Sequence, residues 1–118
     1  MGIVHLRRPG HLSALDFRLG AAPPPVGEHP SPKLATHSAF EAEDGSVSTG
    51  TWEASPGTFA RAIVDAEFSH FISGHATFVT AAGDTFDFRG GDAAYFPPNT
   101  KGVWTIHETL RKTYCIWR

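Results

Sequence analysis

From Lys33 to the C-terminus, apolar and polar residues alternate in short runs, the period-two pattern of strands that turn one face to a core. Residues 85–89 are the plainest case: Phe86 and Phe88 share one face, while Thr85, Asp87 and Arg89 share the other. Similar runs are read at 34–42, 46–54, 59–64, 68–73, 75–80, 93–96, 102–107 and 112–117. Turn residues punctuate them: Glu43-Asp44-Gly45, Ser55-Pro56-Gly57, Gly74, Ala82-Gly83-Asp84, Gly90-Gly91-Asp92, Pro97-Pro98-Asn99 and Glu108-Thr109. No helix-period segment competes in this part of the chain. Short strands at close spacing predict an all-β sandwich or barrel, and a jelly roll is the specific expectation.

Residues 1–33 follow a different rule. Pro9-Gly10 interrupts any early element, and Pro23, Pro24, Pro25, Pro30 and Pro32 keep the chain extended. Apart from a short helical turn near 12–19, the expectation is an arm laid over the body. The organisation read here is an N-terminal proline-rich arm, 1–33, and a β-barrel domain, 34–118.

Bulk properties narrow the function classes. The chain has 118 residues, enough for one domain with its own core, and nine Phe, three Trp and two Tyr to fill it. Net charge is −2 without a basic run, so no nucleic-acid partner is expected. One cysteine, Cys115, precludes an intrachain disulfide and reads as a small apolar residue rather than a nucleophile. No signal-like or bilayer-length apolar stretch is present, so the expectation is a cytoplasmic protein with no membrane partner.

Two segments carry the candidate chemistry. Glu67 precedes Gly74 by seven residues, and a second turn, Gly91-Asp92, runs into Phe96-Pro97. With Asp44-Gly45, Gly50-Thr-Trp52-Glu, Pro56-Gly57-Thr-Phe59, Lys101-Gly-Val-Trp104 and Leu110-Arg-Lys112-Thr-Tyr114, residues 44–118 resemble the cupin superfamily. The likeness is to its small single-domain class of ureidoglycine aminohydrolase domains and ethanolamine-utilisation cupins. It implies a cupin (RmlC-like) jelly-roll barrel. It also implies a metal site of two first-motif histidines, the glutamate and a second-motif histidine, all pointing inward. Counting from Glu67 and Gly91, those histidine places fall on Ala60 and Ala62, or on Arg61 and Ile63, and on Gly102. None supplies a metal ligand. Glu67 is the only residue at a ligand position, so no metal cofactor is expected.

The other histidines do not fall at those places. His70 lies out of phase with Glu67, His75 sits by the turn glycine at the rim, and His107 is out of phase with Trp104 and Ile106. His5, His11, His29 and His37 lie in or near the arm.

With Glu67 inward, alternation also sends Ser69, Phe71, Trp104 and Ile106 inside, and Lys112, Tyr114 and Ile116 share one face. A buried carboxylate needs a partner: Lys112, Tyr114, Arg61 or water. The candidate cavity residues are therefore Glu67, Arg61, Ser69, Trp104, Lys112 and Tyr114. The expected function is metal-free binding of a small polar or anionic metabolite. Two alternatives stand beside it: a metal-dependent enzyme of the ureidoglycine aminohydrolase type, and a non-catalytic dimeric module. A homodimer is expected through Phe68, Ile72 and Trp117 on the outer face, with the arm crossing to the partner.

Overall fold

The computed structural model describes residues 2–118. Eight strands make up the fold: β1 (Arg18–Leu19), β2 (Leu34–Glu41), β3 (Val47–Ala54), β4 (Gly57–Ile63), β5 (Ala66–Thr80), β6 (Thr85–Arg89), β7 (Ala93–Phe96) and β8 (Thr100–Trp117). Every pairing is antiparallel. The order across the sheet is β1-β2-β3-β8-β5-β6, with β4 on β8 and β7 on β5.

Two long strands organise everything else. The sequence reading ends one strand at Gly74 and another at Glu108-Thr109, but neither place reverses the chain. β5 runs fifteen residues and β8 eighteen, and they pair with each other from end to end. Register shifts between Phe71 and Ala76 bend the two strands together instead of ending them. Gly74 has φ of 99°, and a Cβ there would lie 2.1 Å from the Thr109 carbonyl oxygen. The glycine marks a close crossing of backbones at this bend.

Because β5 and β8 bend together, each serves two sheets. The first half of β5 and the second half of β8 lie between β3 and β7, with β2 and β1 beyond β3. The other halves lie between β4 and β6. The two layers face each other through aromatic side chains. Phe71 packs edge-on to Trp104 at 6.3 Å, Phe78 on Phe96 at 5.8 Å, and Trp52 near Phe59 at 6.5 Å between ring centroids. This is the jelly-roll arrangement, with the core between the layers.

The N-terminal segment lies on the first layer. In place of the helical turn read near 12–19 there are two single 3-10 turns, Pro9–His11 and Ala14–Asp16, followed by β1. So short a stretch cannot repay helix nucleation, and pairing with β2 satisfies its backbone instead. Arg111 anchors it from below, donating to the carbonyls of Pro9 at 3.1 Å and Leu12 at 3.0 Å while gripping Glu53. Its guanidinium also lies 4.9 Å from the Phe17 ring centroid. No helix among the described residues is long and apolar enough to cross a membrane.

Candidate functional site

The inner face of the first layer is set by strict alternation. Along β8 it presents Lys112, Tyr114 and Ile116; along β5, Glu67, Ser69 and Phe71; along β3, Ser48 and Trp52. Register then makes neighbours of residues far apart in sequence. Lys112 pairs with Trp52 on one side and Phe71 on the other, and Ile116 pairs with Ser48 and Glu67. From the second layer come Arg61 and Ile63 on β4 and Trp104 on β8. Together with Thr36 on β2 they enclose a cavity of about 150 Å³.

Glu67 and Lys112 form its charged centre. Lys112 Nζ donates to Glu67 Oε2 at 2.5 Å, and the Ser69 hydroxyl donates to the same oxygen at 2.7 Å. The ammonium also lies 4.8 Å from the Trp52 ring, 5.6 Å from Phe96 and 5.9 Å from Trp104, within cation–π range of all three. Burial opposes ionisation of Glu67. The charge and hydrogen bond of Lys112, the Ser69 hydroxyl and the charge of Arg61 outweigh it, holding the carboxyl below its ordinary range. For Lys112, burial pushes the ammonium down and Glu67 restores only part of the loss. Tyr114 is pushed up by burial and by the charges of Glu41 and Glu67.

Arg61 is exposed, and its side chain makes no hydrogen bond or ion pair among the described residues. The cavity thus carries an internally neutralised pair and one free guanidinium, a net charge of one positive unit.

All six residues singled out in the sequence belong to this constellation. Five line the cavity, and Ser69 buttresses Glu67 from behind. The hydrogen-bond partners of Glu67 are Lys112 and Ser69; neither Tyr114 nor Arg61 bonds to it, and the Tyr114 hydroxyl lies against Gly50 on β3 instead. Sequence reasoning missed Thr36, Ser48 and Trp52. Trp52 and Ser48 were accessible by counting in twos along β3, but Thr36 enters only through its register with Trp52.

The residues present do not fit the metal that the cupin fold often holds. Arg61 and Ile63 point into the cavity where imidazoles would be needed, and the Lys112 ammonium already neutralises Glu67. Gly102 has no room for a side chain: a Cβ there would lie 2.6 Å from the Phe78 ring. Among the described residues no group of three or more His, Cys, Asp or Glu side chains is placed to share a metal ion. His75 and His107 sit on the outer face of the second layer, their rings 4.6 Å apart, bonded to Asp87 and Thr77 respectively.

Comparison with known proteins gives a consistent picture. The model of the EutQ-like cupin domain matches residues 41–114. The EutQ protein of Clostridium difficile superposes with a TM-score of 0.66 at 20% identity, over 75% of this chain and 70% of that one. A putative ethanolamine-utilisation protein Q of Salmonella typhimurium gives 0.63 at 18% identity, over 71% and 68%. A DUF861-family protein of unknown function from Pseudomonas syringae pv. tomato gives 0.74 at 20% identity, over 85% of this chain and 43% of that one. No curated protein matches the sequence.

Proposed function

This chain belongs to the EutQ-like cupin domain family, and from that premise we propose that its barrel binds a small carboxylate without a metal ion. The observation that carries the reading is the free guanidinium of Arg61 on a cavity whose other charges cancel. Arginine presents a fork of donors that matches a carboxylate, and the aromatic wall of Trp52 and Trp104 suits the apolar remainder of such a ligand. A cavity of this size takes a ligand of about six non-hydrogen atoms, the bulk of a benzene ring.

Thermal unfolding with acetate, lactate, pyruvate and the neutral control acetamide tests it. A ligand at about a hundred times its dissociation constant adds about 2.7 kcal/mol of stability. For a domain of this length that is a rise of about 5 °C or more. The expected result is a rise with a carboxylate, absent with acetamide and lost in Arg61→Gln. No rise across the set at millimolar concentration would overturn the reading.

A second reading concerns assembly. Phe68, Tyr95 and Trp117 form an exposed apolar patch on the outer face of the first layer, with Tyr95 stacked on Trp117 at 6.1 Å. This patch supports pairing of two copies of the chain.

A further inference from the structure

Resting on the carboxylate-binding reading, we propose that Lys112 is an imine-forming amine whose substrate is a small 2-oxo or aldehydic carboxylate. The ligand's carboxylate meets Arg61, and its carbonyl carbon is attacked by Lys112 Nζ.

Four features of the cavity converge on this chemistry. The chain contains three lysines, and Lys112 alone is buried, whereas Lys33 and Lys101 are exposed. Its Nζ is buried, and burial makes its ammonium easier to deprotonate than that of an exposed lysine even with Glu67 beside it, which favours a nucleophilic amine. Its one hydrogen-bond acceptor is a carboxylate 2.5 Å away, placed to take the proton. The other oxygen of Glu67, Oε1, makes no hydrogen bond, yet no buried side-chain polar atom lacks a partner among the described residues. Oε1 is therefore open to the cavity, where a proton carrier is needed.

The steps balance without any further reagent. Lys112 passes a proton to Glu67, and the amine lone pair forms the C–N bond as the carbonyl π bond opens. The new oxyanion takes that proton from Glu67. Glu67 then removes a second proton from nitrogen and delivers it to the hydroxyl, which leaves as water. The product is a protonated imine facing the Glu67 carboxylate, so the charge pair at the end is the one that was there at the start.

The test is reductive trapping. The protein is incubated with pyruvate and sodium cyanoborohydride, and the adduct is located by intact mass and peptide mapping, with Lys33 and Lys101 as controls within the same chain. The expected result is one adduct per chain, on Lys112, with lactate giving no adduct and competing with pyruvate. In Arg61→Gln, an exposed position that leaves the fold intact, the half-saturating pyruvate concentration should rise about ten- to a hundredfold. If pyruvate and lactate raise the unfolding midpoint but Lys112 is unmodified, or is modified no faster than Lys33 and Lys101, the imine proposal fails and carboxylate binding stands. Neither stabilisation nor an adduct on Lys112 overturns both.

Discussion

Glu67 and Lys112 illustrate what a single residue contributes when its partner is buried with it. Each carries a charge that would be costly alone, and each is tolerated because the other stands 2.5 Å away. Glu67→Gln leaves the Lys112 ammonium without a counter-charge and should destabilise the protein by about 3–5 kcal/mol. Adding Lys112→Met removes the stranded charge at similar volume and should recover most of that loss. Urea denaturation of the two variants checks the ordering; a double variant no more stable than the single one would contradict it. The same pair sets an acid limit. Because the folded-state pKa of Glu67 lies below its ordinary 4.5, the unfolded chain takes up the proton more readily as the pH falls. The contribution is complete above about pH 4.5 and is lost as the pH falls through the folded value. The unfolding midpoint of the wild type should therefore drop more steeply below that pH than that of the double variant.

At the scale of elements, the bend shared by β5 and β8 decides the architecture. It is what lets two strands each belong to two layers, and Gly74 stands at its tightest point. Gly74→Ala meets both a positive φ and the Thr109 carbonyl oxygen, so a cost of at least about 2 kcal/mol is expected. Gly83 has a similar φ of 96° but open space around it, and Gly83→Ala should cost only about 1 kcal/mol. Denaturant midpoints of the two variants give the comparison directly. Equal losses would mean that backbone conformation alone matters and that the crossing of β5 with β8 does not.

Over the whole molecule, the outer face of the first layer is divided in two. One part is covered by the N-terminal segment. Ile72, read from the sequence as part of a dimer face, lies there beneath Gly10, with only partial exposure. The other part keeps Phe68, Tyr95 and Trp117 at 46%, 54% and 41% exposure. Exposed aromatics in one contiguous patch favour contact with another protein surface. Light scattering at micromolar concentration is expected to return about twice the chain mass of 12.8 kDa, and Tyr95→Glu should return a monomer. A wild-type monomer would remove the pairing reading.

Much of this protein was legible in its sequence because alternation is a local property. Once Glu67 is taken as inward, counting in twos places Ser69 and Phe71 beside it, and along β8 it puts Lys112 and Tyr114 on one shared face; that this face is the inner one is set by the register of β8 against β5. The jelly roll was readable in the same way, although four of the runs read in the sequence are halves of β5 and β8; the absence of imidazoles at the cupin ligand places was read from the family resemblance instead. What only the tertiary structure decided was which residues meet across strands. Whether Gly74 and Glu108-Thr109 turn the chain or merely bend it depends on β5 and β8 pairing along their whole length, a contact between distant segments. The choice of Lys112 over Tyr114 as the partner of Glu67, and the entry of Thr36 into the cavity wall, depend on inter-strand register and side-chain reach. Local pattern fixes the face a side chain takes; pairing between distant strands fixes its neighbours.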